Sequence, residues 1–326
     1  MEPKTESTMP ASSSTGESAA YLHIVEPTSH HTHSIMLLHG LGDNGPKFGA
    51  ELLQTGFTST GHTLPQLLPG ARFIFPSAKR RRSSAINRAL LRQWFDIARL
   101  PDPEYRRETQ LQGLAESAAQ LEPLVRAEVD EVGAGNVILG GISNGSAMSM
   151  ALLMALGLPL GGYIGLCSYM PWQRDLLEAV SDTSNEGGLD DEDNPFANDD
   201  DATAEEKTPA VRMIEFERDL LGMDPGPELS DDKMLVKTPV FLGHGELDEK
   251  KPPAIGKAAA ETLRACGYDV TWRLYPELGH WYQVPDEIDD IVDFIEGKVG
   301  WELSRTQAGV YDHYTTNTIA GAGAGS

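Results

Sequence analysis

Ser143 lies in a pattern that can present a serine hydroxyl for nucleophilic attack. It is the central residue of the segment GISNG at 141–145, which follows the apolar run NVIL and precedes a helical stretch. A sharp turn from strand to helix needs small residues on both sides of the serine, and it lifts the hydroxyl to the helix N-terminus at the carboxyl edge of a sheet. A tight turn with a purely structural serine is the competing interpretation. The position of the pattern favours a nucleophile.

Two further residues can complete a catalytic set with this serine. A serine hydroxyl is a weak nucleophile, so it needs a base that a third group orients. Asp248 follows the apolar run PVFL, and His280 follows the run VTWRLY, so both residues fall in loops after predicted strands. The order Ser143, Asp248, His280 is the order of the triad in α/β-hydrolases. We therefore predict Ser143 as nucleophile, His280 as base and Asp248 as the orienting acid.

Other residues compete for these roles. Glu246 lies two residues nearer the strand than Asp248 and is an alternative acid, whereas Asp286 and Glu287 belong more naturally to the last helix. His39 and His244 stand in glycine-flanked turns, where a histidine more often supports a loop. The run with His30, His31 and His33 lacks a suitable set of Cys or carboxylate ligands nearby, so we expect an exposed polar run and no metal site.

A glycine-rich turn can supply donors to the oxyanion of acyl transfer, each of which contributes about 3–4 kcal/mol. The segment LHGLGD at 38–43 follows the first strong apolar run, so the backbone amides of Leu41 and Asn144 are the expected pair. A turn without a catalytic role is the alternative. Trp94 and Phe95, flanked by charged residues, either line an acyl pocket or pack in the core.

The elements that must position these residues alternate between strand and helix. Six short β-rich runs are found at 34–38, 72–75, 136–139, 162–166, 239–242 and 270–275. Helical periodicity covers 111–125, 255–266 and 288–295, and a short amphipathic helix is expected at 211–221. This alternation predicts an α/β fold with a mostly parallel central sheet and helices on both faces. The apolar segment 147–167 is interrupted by glycines and Pro159, so we expect a buried helix and strand rather than a membrane span.

Composition limits the partners and the compartment. The chain has 49 acidic and 26 basic residues, a net charge of −23, which argues against nucleic acid or an anionic membrane surface as a partner. Two cysteines cannot build a disulfide framework, and the first thirty residues lack a secretory signal, so the cytoplasm is expected. The basic run KRRR at 79–82 is expected in a solvated loop, with anionic head-group contact or nuclear import as alternatives. The sequence carries no signal for the oligomeric state.

One domain is predicted at 21–300, between a disordered N-terminal tail at 1–20 and a flexible C-terminal tail at 301–326. An acidic insertion at about 180–209 has few large apolar groups, so we expect it to be disordered. Between Asp182 and Glu206 it holds eleven acidic residues and no basic one. The insertion interrupts one domain rather than joining two.

Six motifs in one order, HGLGDNG, FIFPSA, QWFDI, GGISNGSA, TPVFLGHGELDEKKP and LGHW, resemble the acyl-protein thioesterase and carboxylesterase family of α/β-hydrolases. The resemblance covers about residues 34–298 apart from the insertion. It implies Ser143, Asp248 and His280 as the triad and the Leu41 and Asn144 amides as the oxyanion hole. It also implies cofactor-free hydrolysis of esters or thioesters through an acyl-enzyme, on S-acylated proteins in depalmitoylation, on lysophospholipids or on small carboxylic esters. The family usually has glutamine after the nucleophile, where this chain has asparagine.

Two other functions remain open from the sequence. One is a dedicated esterase for a small metabolite, which chain-length preference separates from a lipid-directed enzyme. The other is a non-catalytic binding protein with a hydrolase fold, in which the acidic insertion is the interaction segment.

Overall fold

A computed structural model of the chain describes residues 22–181, 207–225 and 236–305. The strands in this part of the chain are β1 Leu22–Val25, β2 His33–Leu38, β3 Ala71–Pro76, β4 Arg80–Arg82, β5 Leu90–Arg92, β6 Val137–Ile142, β7 Gly162–Leu166, β8 Val240–Gly245 and β9 Val270–Tyr275. Seven of them form one sheet in the order β1-β3-β2-β6-β7-β8-β9, and β4 and β5 form a separate hairpin. In the large sheet β1 runs antiparallel to β3, and the other neighbours are parallel.

Helices lie between most of the strands. They are α1 Gly45–Thr55, α2 Leu64–Leu67, α3 Leu111–Val132, α4 Asn144–Leu156, α5 Gln173–Ser181, α6 Pro209–Leu220, α7 Pro253–Ala265 and α8 Asp286–Phe294. Short 3₁₀ turns at Arg107–Gln110 and Ala134–Asn136 and a π-helical turn at Ile295–Val299 complete the described elements. The predicted α/β fold with a mostly parallel sheet is confirmed.

The core lies on both faces of the sheet, because successive residues of each strand point to opposite sides. In β2, Met36 and Leu38 face the layer of α3, α4, α6 and α7. Ile35 and Leu37 face the layer of α1, α2 and α8. Every residue of α4 is buried, so the apolar segment that includes it is a buried helix followed by the buried strand β7, as predicted. In the part of the chain that the structure covers, no helix is long and apolar enough to cross a membrane.

The strand order fixes where a ligand can bind. From β2 the chain moves outward to β3, and from β6 it moves in the opposite direction through β7, β8 and β9. The crevice beyond the carboxyl ends of β2 and β6 is therefore the switch point at which open α/β sheets bind ligands. Leu38 and Ile142 end these two strands, so the turn at 38–43 and the turn at 141–145 meet there.

The predicted domain limits can be compared with the structure only in part. The N-terminal tail at 1–20, residues 182–206 of the insertion and residues 306–326 of the C-terminal tail lie outside the described residues. The predicted start of the C-terminal tail at 301 is wrong. Trp301 is 4% exposed, and its ring centroid lies 4.2 Å from that of His33. Ser304 N donates to Leu67 O over 2.8 Å.

Two polar segments also differ from expectation. The basic run at 79–82, expected in a loop, contributes strand β4, and Arg81 Nη1 donates to Glu116 Oε2 over 2.8 Å. His31 and His33 are partly buried rather than exposed. His31 Nε2 lies 2.9 Å from Ser34 Oγ, and His33 packs on an aromatic ring. Local polarity suggested solvent at these positions, but distant parts of the chain cover them.

Candidate active site

Ser143 occupies a strained turn between β6 and α4. Its φ of +56° and ψ of −119° are unusual for a residue with a side chain. An added Cβ would lie 2.5 Å from Leu38 O at Gly141 and 2.3 Å from the same oxygen at Gly145. Only glycine fits at both positions, because these contacts are with backbone. Ser143 N also donates to Leu166 O over 2.8 Å, so the neighbouring strand holds the turn.

The structure brings the three predicted triad residues together. Ser143 Oγ lies 2.8 Å from His280 Nε2, and His280 Nδ1 lies 2.6 Å from Asp248 Oδ2. Asp248 follows β8 and His280 follows β9, so their loops meet beyond the carboxyl ends of neighbouring strands. A carboxylate accepts from Nδ1–H, which leaves Nε2 free to accept the serine proton. This arrangement can carry out general-base activation of a hydroxyl nucleophile.

The Asp248 side chain is fully buried, and backbone amides hold its carboxylate in place. Oδ1 accepts from Lys250 N over 2.9 Å and from Lys251 N over 2.8 Å. Burial alone would raise the pKa of Asp248, but hydrogen bonds from His244, His280 and the Lys251 amide outweigh burial and hold this pKa well below its usual range. The carboxylate is therefore ionised and cannot rotate freely.

The glycine-rich turn after β2 lies directly beside Ser143, the candidate nucleophile. An added Cβ at Gly40 would be 3.6 Å from Ser143 Cβ, so the turn and the serine are in near contact. Gly42 N donates to Arg92 O over 2.8 Å, which ties the turn to β5. Leu41 follows Gly40 in this turn, and Asn144, the first residue of α4, follows Ser143. The oxyanion role of these two amides stays a prediction.

His39 supports this turn, as expected for a structural histidine. Its Nε2 accepts from Ala78 N over 3.0 Å, so Nδ1 carries the proton and donates to Gly40 O over 2.7 Å. Burial lowers the pKa of His39 to about 4, so the ring is neutral at physiological pH. His244 also supports a loop, because its Nε2 donates to Lys251 O over 2.8 Å. Glu246, the alternative acid, has an exposed side chain.

The Asn144 side chain has a structural role that sequence reasoning missed. Its Oδ1 accepts from Trp94 N over 2.8 Å, and its Nδ2 donates to Tyr169 Oη over 3.3 Å. The residue after the nucleophile thus links the start of α4 to the loop after β5 and to the loop after β7. The position matters for more than its backbone amide.

Trp94 and Phe95 are fully buried. Trp94 Nε1 donates to His39 O over 2.9 Å. The Phe95 and Tyr169 rings pack edge to face, with their centroids 6.2 Å apart. Both rings therefore pack in the core, and Trp94 also braces the glycine-rich turn. Their predicted part in an acyl pocket stays a prediction.

Lys251 is a second residue near the site that sequence reasoning missed. Its Nζ donates to Leu100 O and lies 4.1 Å from the centre of the Tyr169 ring. Burial lowers the pKa of Lys251 to about 7, although Asp248 and Asp102 oppose this shift. A nearby cleft of about 320 Å³ combines apolar and charged side chains; its walls include Pro101, Asp102, Glu104, Met170, Arg174 and Ile255.

A serine in a strand-to-helix turn, with an acid and a histidine after the next strands of a parallel sheet, defines the α/β-hydrolase class. A model of the phospholipase/carboxylesterase family matches residues 19–186 and 225–298. The chain belongs to this family. Membership makes the protein an ester-hydrolysing enzyme, which confirms the predicted class of activity.

Individual relatives agree with this assignment. The chain is 27% identical over 271 residues to acyl-protein thioesterase 1 of Gibberella zeae, covering 82% of this chain and 91% of the relative. It is 26% identical over 268 residues to acyl-protein thioesterase 1 of Saccharomyces cerevisiae, covering 81% and 91%. The crystal structure of Zea mays acyl-protein thioesterase 2 matches 86% of this chain and 99% of its own, with a TM-score of 0.59 and 24% identity. This last match supports the fold alone.

Proposed function

We propose that this enzyme hydrolyses thioesters and oxygen esters of acyl groups, S-acylated proteins among them, by acyl transfer to Ser143. The observation that carries the proposal is the unbroken chain of hydrogen bonds from Ser143 Oγ through His280 to Asp248, with lengths of 2.8 and 2.6 Å. These hydrogen bonds lie at the switch point of the sheet. The turn that holds Ser143 has a glycine on each side at a position where a larger residue would not fit.

Acylation begins when Ser143 Oγ attacks the acyl carbon. His280 Nε2 takes the hydroxyl proton, and Asp248 stabilises the imidazolium that forms. The amides of Leu41 and Asn144 donate to the oxyanion of the tetrahedral intermediate. His280 then protonates the leaving thiolate or alkoxide, and the acyl group stays on Ser143.

Deacylation repeats these steps with water as the nucleophile. His280 removes a proton from water, the second oxyanion forms at the same amides, and the acid leaves when His280 returns the proton to Ser143 Oγ. Every group in these steps belongs to this chain, apart from substrate and water.

The substrate class is proposed from the relatives. Two curated relatives named acyl-protein thioesterase 1 align along 91% of their own length, so the likeness extends through most of the catalytic domain. We expect a cytoplasmic enzyme, because both cysteines, Cys167 and Cys266, are free and buried, as in proteins of reducing compartments. Lysophospholipids and small metabolite esters are the other substrate classes to be separated by experiment.

The test compares p-nitrophenyl esters from acetate to palmitate with an S-palmitoylated peptide, using wild type beside Ser143→Ala. We expect turnover of the peptide, highest rates with long chains, and a loss of about 10⁶-fold in kcat for Ser143→Ala. A maximum at acetate or butyrate without peptide turnover would contradict the acyl-protein substrate. Retention of most activity by Ser143→Ala would contradict the nucleophile.

A further inference from the structure

Cys167 brings a thiol to the rear of the candidate triad. Its Sγ, a carboxylate oxygen of Asp248 and a ring nitrogen of His280 all lie within 4.8 Å of one another. Nδ1 is the nitrogen on this side of the ring, since it lies 2.6 Å from Asp248 Oδ2. Thiolate, imidazole and carboxylate are the ligand types that zinc takes in proteins.

The backbone fixes the thiol in this position. Cys167 directly follows β7 with a φ of +48°, and its N donates to Gly243 O over 2.9 Å. Its Sγ donates to Trp281 O over 3.1 Å, next to His280 in the chain. The three ligand atoms are thus brought together by three separate loops of the rigid sheet edge, and none of them depends on an exposed flexible side chain.

A second carboxyl group, that of Glu287, interacts with the thiol. Glu287 is 1% exposed and lies against Gly243, where an added Cβ would meet its Oε1. Its Oε2 accepts from Gln283 N over 2.8 Å, whereas Oε1 has no hydrogen-bond partner within the described ranges. Burial raises the pKa of Glu287 to about 8, so this carboxyl is mostly protonated at neutral pH, whereas Asp248 is ionised. The charge that would stabilise a cation beside Cys167 is therefore mainly that of Asp248.

We propose that Cys167, Asp248 and His280 form an inhibitory site for a thiophilic divalent cation such as zinc. The inhibition, though not the binding, rests on the proposed role of His280 as the base. Zinc bonds of about 2.0–2.3 Å place tetrahedral ligand atoms roughly 3.3–3.8 Å apart, so modest shifts close the site. Water takes the fourth position.

Binding at this site removes the base without touching Ser143. The cation bonds to the Cys167 thiolate, and the thiol proton leaves to solvent. It also bonds to Asp248 Oδ2 and to His280 Nδ1, whose proton moves to Nε2. A neutral imidazole with a proton on Nε2 has no lone pair there to accept the proton of Ser143. Turnover therefore stops until the cation leaves. The His280 side chain is 15% exposed, so the cation reaches the buried ligands past this residue.

The first test is zinc chloride titration of esterase activity in a non-coordinating buffer. Cys167→Ser is compared with Cys266→Ser, a matched control at the other buried cysteine, and each rate is referred to its own zinc-free value. We expect wild type and Cys266→Ser to be inhibited alike and restored by EDTA. Cys167→Ser should need at least about tenfold more zinc, because a ligand is lost. Equal zinc sensitivity in Cys167→Ser and wild type would overturn the proposal.

A second test measures binding without turnover. Calorimetric titration of Ser143→Ala with zinc chloride should show one bound ion, weakened at least about tenfold in Ser143→Ala/Cys167→Ala. Cadmium chloride should give sulfur-to-metal charge-transfer absorption in Ser143→Ala that Ser143→Ala/Cys167→Ala lacks, with circular dichroism verifying the fold of both. Absence of zinc binding overturns the inference whatever the activity. If zinc binds but the wild-type protein has no esterase activity, the proposed function is contradicted and the zinc site is not.

Discussion

Replacing Asp248 with asparagine should reverse the tautomer of His280, because the backbone fixes how the new amide must point. Lys250 N and Lys251 N donate to Oδ1 over 2.9 and 2.8 Å, so the asparagine carbonyl oxygen takes that place. The NH₂ group then faces His280 Nδ1, where the wild-type oxygen accepts over 2.6 Å. Nδ1 must become the acceptor, and the ring proton moves to Nε2.

The opposite orientation of the asparagine is disfavoured by the same contacts. It would leave the buried Lys251 amide unpaired, at about 1–3 kcal/mol, together with the partly buried Lys250 amide. One long contact favours this opposite orientation, because His244 Nε2 lies 3.3 Å from the position of Oδ2, where the carbonyl oxygen would then stand. A difference of about 2 kcal/mol corresponds to about 30-fold in population, so the inactive tautomer dominates. A triad with the wrong tautomer loses about 10⁴-fold in kcat.

The assay is kcat/KM of Asp248→Asn for a p-nitrophenyl ester from pH 5 to 10. Glu246→Gln is the control, because Glu246 is an exposed carboxylate two residues away in the same loop. We expect a loss of about 10⁴-fold in the first variant and less than about twofold in the second. A loss below tenfold in Asp248→Asn, or a comparable loss in Glu246→Gln, would refute the tautomer argument.

Two further predictions concern folding. Gly145→Ala places a Cβ 2.3 Å from Leu38 O, so we expect about 1–3 kcal/mol lower stability in urea denaturation and reduced kcat. Gly135→Ala is the control, because a Cβ there meets nothing within 4 Å. It should change stability by less than about 0.5 kcal/mol. Equal effects would refute the steric reasoning. Glu217 is fully buried, and burial raises its pKa well above the ordinary 4.5. Above pH 4.5 the unfolded chain releases the proton while the folded chain keeps it, so wild-type stability falls as pH rises. Glu217→Gln should therefore be more stable than wild type at pH 7 and lose this advantage below pH 4.5; denaturation curves with no pH-dependent difference would contradict this.

The parts of the fold that the sequence predicts best are those with purely local signals. The short apolar runs mark the central parallel strands, because such strands are buried on both faces. The edge strand Leu22–Val25 is half-exposed and lacks this signal. The hairpin β4–β5 lacks a local signal, because each strand has three residues, β4 consists of arginine, and Arg81 is held by Glu116 from a distant helix.

The candidate triad could be predicted because its residue types, chain order and positions after strands are all written in the sequence. The supporting contacts could not. Asn144 bonds to Trp94 N fifty residues earlier in the chain, and Lys251 reaches Leu100 across 151 residues. Cys167 carries no local motif, and its place behind His280 follows only from the order of β7, β8 and β9. Contacts of this kind depend on tertiary structure.

The central claim is that an acyl-enzyme forms on Ser143. The most direct measurement is intact-protein mass spectrometry after rapid mixing with p-nitrophenyl palmitate and acid quenching, followed by peptide mapping. The account predicts one palmitoyl adduct on Ser143 in wild type, and none in Ser143→Ala or His280→Ala. An adduct on another residue, or steady hydrolysis by wild type in which Ser143 is never acylated, would contradict it.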